Sequence, residues 1–135
     1  MRVPDSQEAR VRKLSRTALV KKLDRVFSRY IRQKYAVGGW VECVTCGKRL
    51  PWELAQAGHW IKRGHHATRW DERNVWPQCP GDNLYKNGLQ DEMALHIQRV
   101  HGPEALEDLI RLKHTVKKWT VGELRELIDH YEGAL

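Results

Sequence analysis

The chain has 135 residues and a formal net charge of +7 at pH 7, and three of its residues are cysteines. This length predicts a single domain with a modest core and a small metal-supported centre. No apolar run is long enough to span a bilayer, and the first dozen residues lack a signal-peptide pattern, so we expect a cytoplasmic protein with no membrane partner. In a reducing compartment, three cysteines favour metal ligation or burial over disulfides.

The positive charge is concentrated at the N-terminal end. Residues 1–37 hold 11 Lys and Arg against 3 Asp and Glu, so the rest of the chain is close to neutral. A segment of this kind favours a polyanionic partner, most simply nucleic acid, whose binding would weaken with salt. The alternative is a solvated helix face on which Lys and Arg serve only helix propensity.

The first predicted element is an amphipathic helix, or two abutting helices, from about residue 6 to 35. Asp5 and Glu8 can cap its start, and Gly38 and Gly39 end it. Its apolar stripe needs a partner, either the remaining domain or the same helix of a second copy. The stripe comprises Leu19, Leu23, Val26, Phe27, Tyr30 and Ile31.

The central third of the chain has short, non-helical patterns. Residues 40–42 and 58–61 predict two brief strands that flank a Cys-rich turn, and residues 52–54 predict a short turn. The segment from residue 62 to 78 has little periodicity and reads as a loop, which at this length is usually functional or disordered.

Helical patterns return after the third cysteine. A short helix capped by Asp82 or Asn83 precedes one over residues 90–100, which ends at Gly102. Pro103 opens the next helix. Thr120 and Glu123 form a capping box that opens the last helix. The predicted apolar positions of these helices are Met93, Leu95, Ile97, Val100, Ala105, Leu106, Leu109, Ile110, Leu112, Leu124, Leu127, Ile128 and Tyr131.

Four residues have the spacing of a structural zinc site. Cys43 and Cys46 form a C-x-x-C knuckle, Cys79 is a third ligand, and Asp82 stands three residues later, where a fourth cysteine would complete a second pair. A carboxylate can bind zinc, so the set is chemically allowed. Two alternatives remain open: His65 or His66 replaces Asp82, or the site has decayed and the cysteines are small buried hydrophobes.

A second set of residues suggests phosphodiester chemistry. His59 follows Gly58 near the end of a predicted strand, and the cations Lys62 and Arg63 come soon after it. A histidine held beside phosphate-binding cations can deprotonate water, because its ordinary pKa lies near neutral pH. Two asparagines follow: Asn74 can clamp the loop that carries the histidine, and Asn83 can offer an oxygen to a divalent ion.

The order of these motifs resembles the His-Me finger, or HNH, nucleases, including phage endonuclease VII. More specifically, it resembles the NinG/Rap family of lambdoid phages over roughly residues 40–132. The resemblance rests on A-G-H-W at 57–60, R-W-D-E-R-N at 69–74, Q-C-x-x-x-N at 78–83 and K-W-T-V-G-E-L at 118–124. It implies a recombination endonuclease that acts on branched DNA inside the bacterial host cell.

By position, the resemblance implies His59 as general base, Asn74 as its positioner and Asn83 as ligand of a catalytic Mg²⁺ or Mn²⁺. A structural zinc on Cys43, Cys46 and Cys79 would staple a ββα finger. The expected fold is therefore α+β and mostly helical: a basic helical arm over 1–37, the zinc-stapled nuclease finger over 40–88, and a helical part over 89–135.

The sequence departs from the family pattern around the proposed catalytic ion. Asp82 stands where the family has cysteine, Gly58 where many HNH enzymes have a metal-binding aspartate, and Gln56 where NinG relatives tend to have an acid. Another carboxylate must then serve the ion, with Asp71, Glu72 and Asp91 as candidates. Alternatively, Asp82 turns from zinc to the catalytic ion.

We predict cleavage of branched DNA, such as four-way junctions, by a symmetric homodimer whose interface is the apolar stripe of the N-terminal helix. Three alternatives stay open: a nicking nuclease without junction preference, a non-catalytic zinc-finger module that binds DNA, and a structural or antitoxin-like protein. The predicted DNA contacts are Lys62, Arg63, Arg69, Arg73, Lys21, Lys22, Arg25, Arg29 and Arg32.

Overall fold

The computed structural model describes residues 14–135. It contains four α-helices and two antiparallel sheets of two strands each, so the predicted mixed and mostly helical class is confirmed. The helices are α1 (Arg16–Lys34), α2 (Gln90–His101), α3 (Pro103–Lys113) and α4 (Val121–Gly133). The strands are β1 (Trp40–Glu42), β2 (Arg49–Pro51), β3 (Gln56–His59) and β4 (Val75–Gln78). Two 3₁₀ turns (Trp52–Leu54, Glu72–Asn74) and a π-helical turn (Gly81–Tyr85) complete the elements.

Helix α1 begins later than predicted. The side chain of Ser15 accepts a hydrogen bond from the backbone N–H of Ala18 and caps the helix, whose first residue is Arg16. Leu14 and Ser15 are not helical, so one continuous helix from residue 6 to 35 is wrong, whereas the alternative of two abutting helices depends on residues outside those described. The predicted cap at Asp5 and Glu8 lies outside the described residues.

The apolar stripe of α1 packs against α4 of the same chain. Leu19, Leu23, Phe27 and Ile31 are at most 1% exposed. They form one core with Trp70, Val75, Leu124, Ile128 and Tyr131. A homodimer interface through this stripe is therefore wrong, because the stripe is already covered. An amphipathic pattern shows that a helix has a partner, but it does not show which partner.

The two predicted strands do not pair with each other. Strand β1 pairs with β2, and β3 pairs with β4, with His59 opposite Val75 and Gly58 opposite Trp76. Strand β3 ends at His59, two residues earlier than predicted. The segment that forms β4 reads as loop in the sequence, because all four of its residues are buried and it shows no alternation. Val75 packs into the α1–α4 core and Trp76 into the α2–α3 core.

The C-terminal helices follow the local signals closely. Gly102, at a φ of 88°, separates α2 from α3, and both hydrogen bonds of the Thr120–Glu123 capping box are present. Met93, Ile97, Ala105 and Leu109 are buried as predicted, whereas the predicted apolar positions Leu95, Val100 and Ile110 are exposed. The short helix after Cys79 is a π-helical turn with Asp82 buried inside it, so Asp82 is not its cap. No described helix is long and apolar enough to cross a membrane.

Candidate active site and metal centre

His59 lines a cleft of about 370 Å³ between α1, β3 and the π-helical turn. Strand β3 ends at His59, and its pairing with β4 fixes the backbone there. The loop after β3 contributes Lys62 and Arg63, which give the cleft positive charge. The other lining residues are Asp24, Phe27, Ser28, Gln56, Ala57, Asn83 and Leu84.

A backbone carbonyl sets the tautomer of His59. Its Nε2 lies 2.9 Å from the carbonyl oxygen of Arg69. Because a carbonyl only accepts, Nε2 carries the hydrogen, and Nδ1 of the neutral ring keeps its lone pair. Burial lowers the pKa of His59, against the opposing effects of the Arg69 and Ala57 carbonyls and Asp24. The imidazole is therefore a neutral base at neutral pH.

Asn74 clamps the loop that follows His59, as predicted for a positioning residue. Its side chain is fully buried. Its Oδ1 accepts the Ile61 N–H at 2.8 Å, and its Nδ2 donates to the carbonyls of Ile61 at 3.0 Å and Thr68 at 3.1 Å. The amide thus fastens both ends of the segment 61–68, which starts two residues after the histidine.

Asn83 shares the cleft with His59, whereas Asn74 is buried behind it. The Nδ2 of Asn83 donates to Gln56 Oε1 at 2.7 Å, so these two amides are paired across β3 and the π-helical turn. The predicted His, Asn, Asn set is therefore brought to one region, although only His59 and Asn83 face the cleft itself.

None of the three carboxylates predicted to serve a catalytic ion lines the cleft. Asp71 bonds to Arg73, and Glu72 bonds to Lys34 near the end of α1. Asp91 is exposed at the start of α2. Among the described residues, the carboxylate that does line the cleft is Asp24. Sequence reasoning missed it, although it is the one acidic residue between positions 9 and 41.

The oxygens of Asp24 are already occupied. Arg69 donates to both of them, at 3.1 Å from Nε and 2.5 Å from Nη2, and Trp70 Nε1 donates at 3.0 Å. The remaining neutral side chains that could offer a ligand atom in the described cleft are the amides of Gln56 and Asn83, the Ser28 hydroxyl and the His59 imidazole. Mg²⁺ and Mn²⁺ prefer carboxylate oxygens, so these residues do not by themselves fit a site for the expected catalytic ion.

Gln78 explains why an aspartate cannot stand before His59. A Cβ added at Gly58 would lie 2.2 Å from Gln78 Oε1. The Gln78 side chain is fully buried, and its Nε2 donates to Thr45 Oγ1 at 3.0 Å and to the Gly88 carbonyl at 2.8 Å. The space of the expected aspartate is therefore filled by a glutamine from the neighbouring strand.

The four predicted zinc ligands come together. The ligand atoms of Cys43, Cys46, Cys79 and Asp82 all lie within 4.8 Å of one another. The Sγ atoms of Cys46 and Cys79 are 3.8 Å apart, and Cys43 Sγ is 3.7 Å from Asp82 Oδ2. Three sulfurs and a carboxylate at these separations fit a tetrahedral structural zinc. The alternative ligands His65 and His66 are exposed and are not part of this cluster.

The electrostatics of the cluster favour a bound cation. A hydrogen bond from Thr45 at 2.7 Å lowers the pKa of Asp82, so its carboxylate is ionised at neutral pH. Burial opposes ionisation of Cys43, yet its contact with the Thr45 side chain and hydrogen bonds from the backbone N–H groups of Cys79, Cys46 and Thr45 outweigh burial and lower its pKa. A hydrogen bond from the backbone N–H of Lys48 lowers the pKa of Cys46. Burial and the neighbouring thiols outweigh this effect and raise the pKa to about 12. A bound cation would compensate the charge of the Asp82 carboxylate and of thiolate ligands beside it.

The same geometry rules out one alternative. Asp82 is 3% exposed and faces the cysteines, and it does not line the cleft that holds His59. The interpretation in which Asp82 serves the catalytic ion instead of zinc is therefore wrong.

Two of the predicted phosphate contacts are neutralised by acidic partners. Arg69 is bound to Asp24, and Arg73 pairs with Asp71 and Asp108 at 2.8 Å each. Neither guanidinium is available to a phosphate as predicted, because each already serves a carboxylate. Lys62 and Arg63 are exposed at the cleft, although an Arg63 nitrogen also lies 3.7 Å from Asp24 Oδ2.

The predicted DNA-binding residues of α1 divide into two groups. Lys21, Arg25 and Arg29 recur every four residues on the exposed side of the helix. Lys22 instead pairs with Glu132 of α4 at 3.4 Å, and Arg32 lies over the Trp52 ring at 5.3 Å. We call Lys21, Arg25 and Arg29 the basic stripe. Asp24 and Ser28, which line the cleft, lie on the same helix beside it.

Comparisons with known proteins place the chain among phage proteins. The family model described as Bacteriophage Lambda NinG protein matches residues 4–135. Protein ninG of Escherichia phage 933W is 27% identical in an alignment 132 residues long that covers 93% of this chain, and Protein ninG of Enterobacteria phage VT2-Sa gives the same values. The chain spans 62% of the length of these relatives. No solved structure matches it.

Proposed function

The chain belongs to the NinG family of bacteriophage proteins, and from this premise and the cleft around His59 we propose that it is an endonuclease that hydrolyses DNA phosphodiesters. The observation that carries the proposal is the state of His59: a carbonyl holds Nε2–H, which leaves Nδ1 as a base in a cationic cleft. The family name carries no statement about catalysis, so the support comes from this geometry.

In the proposed reaction, His59 Nδ1 takes a proton from a water molecule while the oxygen of that water attacks the phosphorus atom. The bond between phosphorus and the leaving 3′ oxygen breaks, and solvent returns a proton to that oxygen. Lys62 and Arg63 offset the charge that develops on the phosphate oxygens. A positioned general base contributes roughly 10²- to 10⁴-fold to the rate. The described cleft does not fit Mg²⁺ or Mn²⁺ by itself, so no step is assigned to either ion.

The proposed substrate is branched DNA. The basic stripe on α1 lies beside the cleft-lining residues Asp24 and Ser28, so a duplex arm could follow the helix while another arm enters the cleft. Resolution of a four-way junction needs two coordinated cuts, for which we propose a symmetric homodimer. Its interface is a surface other than the buried stripe of α1.

The decisive experiment compares cleavage of a labelled four-way junction and a matched linear duplex, with Mg²⁺, Mn²⁺ or chelator. We expect wild type to cut the junction, and His59→Ala to bind it with unchanged affinity but to cut at least about 100-fold more slowly. His114→Ala, which changes an exposed histidine outside the cleft, is the matched control and should cut normally.

Other outcomes contradict parts of the proposal. Equal cleavage of duplex and junction would indicate a nicking nuclease without branch preference. Binding without cleavage by wild type under every ion condition would support a DNA-binding module, an alternative favoured by the fact that Asp24, the carboxylate of the described cleft, is already bonded to Arg69 and Trp70. Absence of DNA binding at low salt would oppose every nucleic-acid function.

A further inference from the structure

We propose that Asp24 of α1 is a positioning residue for His59, which it holds in the Nε2–H tautomer through Arg69. The inference rests on the proposed function, since it assigns His59 the role of base. It extends that function because it makes the N-terminal helix part of the catalytic apparatus and not only a DNA contact.

The first link is a two-pronged ion pair between Asp24 and Arg69. Arg69 Nε donates to Oδ1 at 3.1 Å and Nη2 donates to Oδ2 at 2.5 Å. The two side chains are only 17% and 16% exposed, so water competes weakly for either charge. Paired donors of this kind fix orientation as well as distance. Arg69 is thereby held against α1.

The second link runs through the backbone of the same arginine. Its carbonyl oxygen accepts the hydrogen of His59 Nε2 at 2.9 Å. Because the side chain and the carbonyl belong to one residue, an arginine held by Asp24 also restrains the direction of the carbonyl that orients the imidazole. Asp24 and His59 are thus connected by a continuous set of polar contacts.

The next residue is anchored to the same carboxylate. Trp70 Nε1 donates to Asp24 Oδ1 at 3.0 Å, and the Trp70 ring is 5% exposed in the core with Leu23 and Phe27. Two consecutive residues, 69 and 70, are therefore bound to α1. Asn74 separately fastens residues 61 and 68, so the loop has two independent anchors around the histidine.

The hydrogen-bonding state of Asp24 distinguishes this role from metal ligation. Oδ1 accepts from both Arg69 and Trp70, and Oδ2 accepts from Arg69 and lies 3.7 Å from an Arg63 nitrogen. A carboxylate satisfied by three N–H donors, with a further cation beside it, would have to break these bonds to bind an ion.

The test uses the full chain with ¹⁵N-labelled histidine and the variant Asp24→Asn, which keeps the shape and removes the charge. Imidazole ¹⁵N shifts, measured above the pKa of His59, report the tautomer without any need for cleavage. We expect Nε2–H in wild type and a mixture in Asp24→Asn. On a junction substrate, kcat should fall roughly 10- to 100-fold at unchanged DNA affinity.

Two further variants sharpen the result. Arg69→Gln removes the same ion pair from the loop side. The double variant Asp24→Asn, Arg69→Gln should cleave no more slowly than either single variant, because both substitutions break the same connection. Glu132→Gln is the control: it removes the ion pair between Lys22 of α1 and α4, and it should change neither tautomer nor kcat.

The outcomes separate this inference from the proposed function. A tautomer shift in protein that never cleaves DNA would support the positioning role and refute the nuclease proposal. An unchanged tautomer and an unchanged kcat in folded Asp24→Asn and Arg69→Gln would overturn the inference. It would also be overturned if Asp24→Asn kept the tautomer and only raised the Mg²⁺ or Mn²⁺ concentration needed for cleavage, since that identifies a metal ligand.

Discussion

His59 illustrates how an ordinary residue acquires a specific protonation state. A histidine after a glycine is weak evidence for catalysis, because isolated histidines are common on surfaces and in cores. Here burial lowers its pKa and one backbone carbonyl selects the nitrogen that carries the hydrogen. Burial favours the neutral ring although the carbonyl opposes it, and the carbonyl leaves the lone pair that a general base needs on Nδ1.

The pH dependence of cleavage follows from that shift. The pKa of His59 lies below the ordinary value of 6.5, so the neutral base should persist as pH falls through 6.5 and disappear only at lower pH. We therefore expect the acid limb of the kcat/KM profile to have its midpoint below 6.5. The His59 titration followed by NMR should give the same midpoint. A midpoint above 6.5 would contradict the assignment of this limb to His59.

The close approach of Gly58 and Gln78 gives a stability prediction. In Gly58→Ala the new methyl group would lie 2.2 Å from Gln78 Oε1, and a buried glutamine with two hydrogen bonds cannot move away freely. We expect the free energy of unfolding to fall by about 1 to 3 kcal/mol, measured by denaturant titration. Gly64→Ala, at a glycine with open space around it, is the control and should change stability little.

At the scale of elements, α1 has three sides with different tasks. Its apolar side packs on α4, a second side contributes Asp24 and Ser28 to the cleft, and the exposed side carries the basic stripe. The apolar periodicity and the charge were both evident in the sequence. The cleft-lining side was not, because a single aspartate within a basic helix has no recognisable pattern.

The cluster of Cys43, Cys46, Cys79 and Asp82 joins the turn after β1 to the π-helical turn after β4. We expect one bound Zn²⁺ per chain, measured by metal analysis of purified protein. Asp82→Ala should release zinc at lower chelator concentrations, whereas Asp82→Cys should retain it more firmly, since thiolate is a softer ligand. Asp91→Ala changes an exposed carboxylate outside the cluster and is the control.

A zinc content of zero in folded wild type would contradict the metal-centre interpretation. The cysteines would then be small hydrophobic residues with no ligand role. Because metal binding is coupled to folding, chelation should also loosen the β1–β2 hairpin and the π-helical turn in a zinc-bound protein, which hydrogen exchange would detect.

At the scale of the whole molecule, the net charge of +7 predicts binding that depends on salt. We expect a weaker salt dependence when glutamine replaces the basic stripe, Lys21, Arg25 and Arg29. The negative slope of the logarithm of the DNA-binding constant against the logarithm of salt concentration should become less steep by roughly 0.9 for each phosphate that the helix no longer neutralises. The control is Lys113→Gln, at an exposed lysine of α3. An unchanged slope in the triple variant would show that the basic stripe does not contact DNA.

Features that depend on neighbours along the chain were predictable from sequence. The capping box at Thr120, the break at Gly102 and Pro103, and the C-x-x-C knuckle all involve hydrogen bonds or ligands within a few residues of each other. The resemblance to a known family also singled out His59, Asn74 and Asn83, whose roles stay predictions; the structure shows that His59 and Asn83 share a cleft and that Asn74 bonds to the loop after His59.

Features that depend on distant parts of the chain were decided only by tertiary structure. Helix α4 covers α1 from about 100 residues away, strand β4 is buried on two sides by different cores, and Gln78 fills the space at Gly58. Asp24 meets Arg69 across 45 positions. The physical reason is common to all of them: a local pattern specifies which surfaces must be buried or neutralised, whereas the partner is set by how the folded chain brings distant segments together.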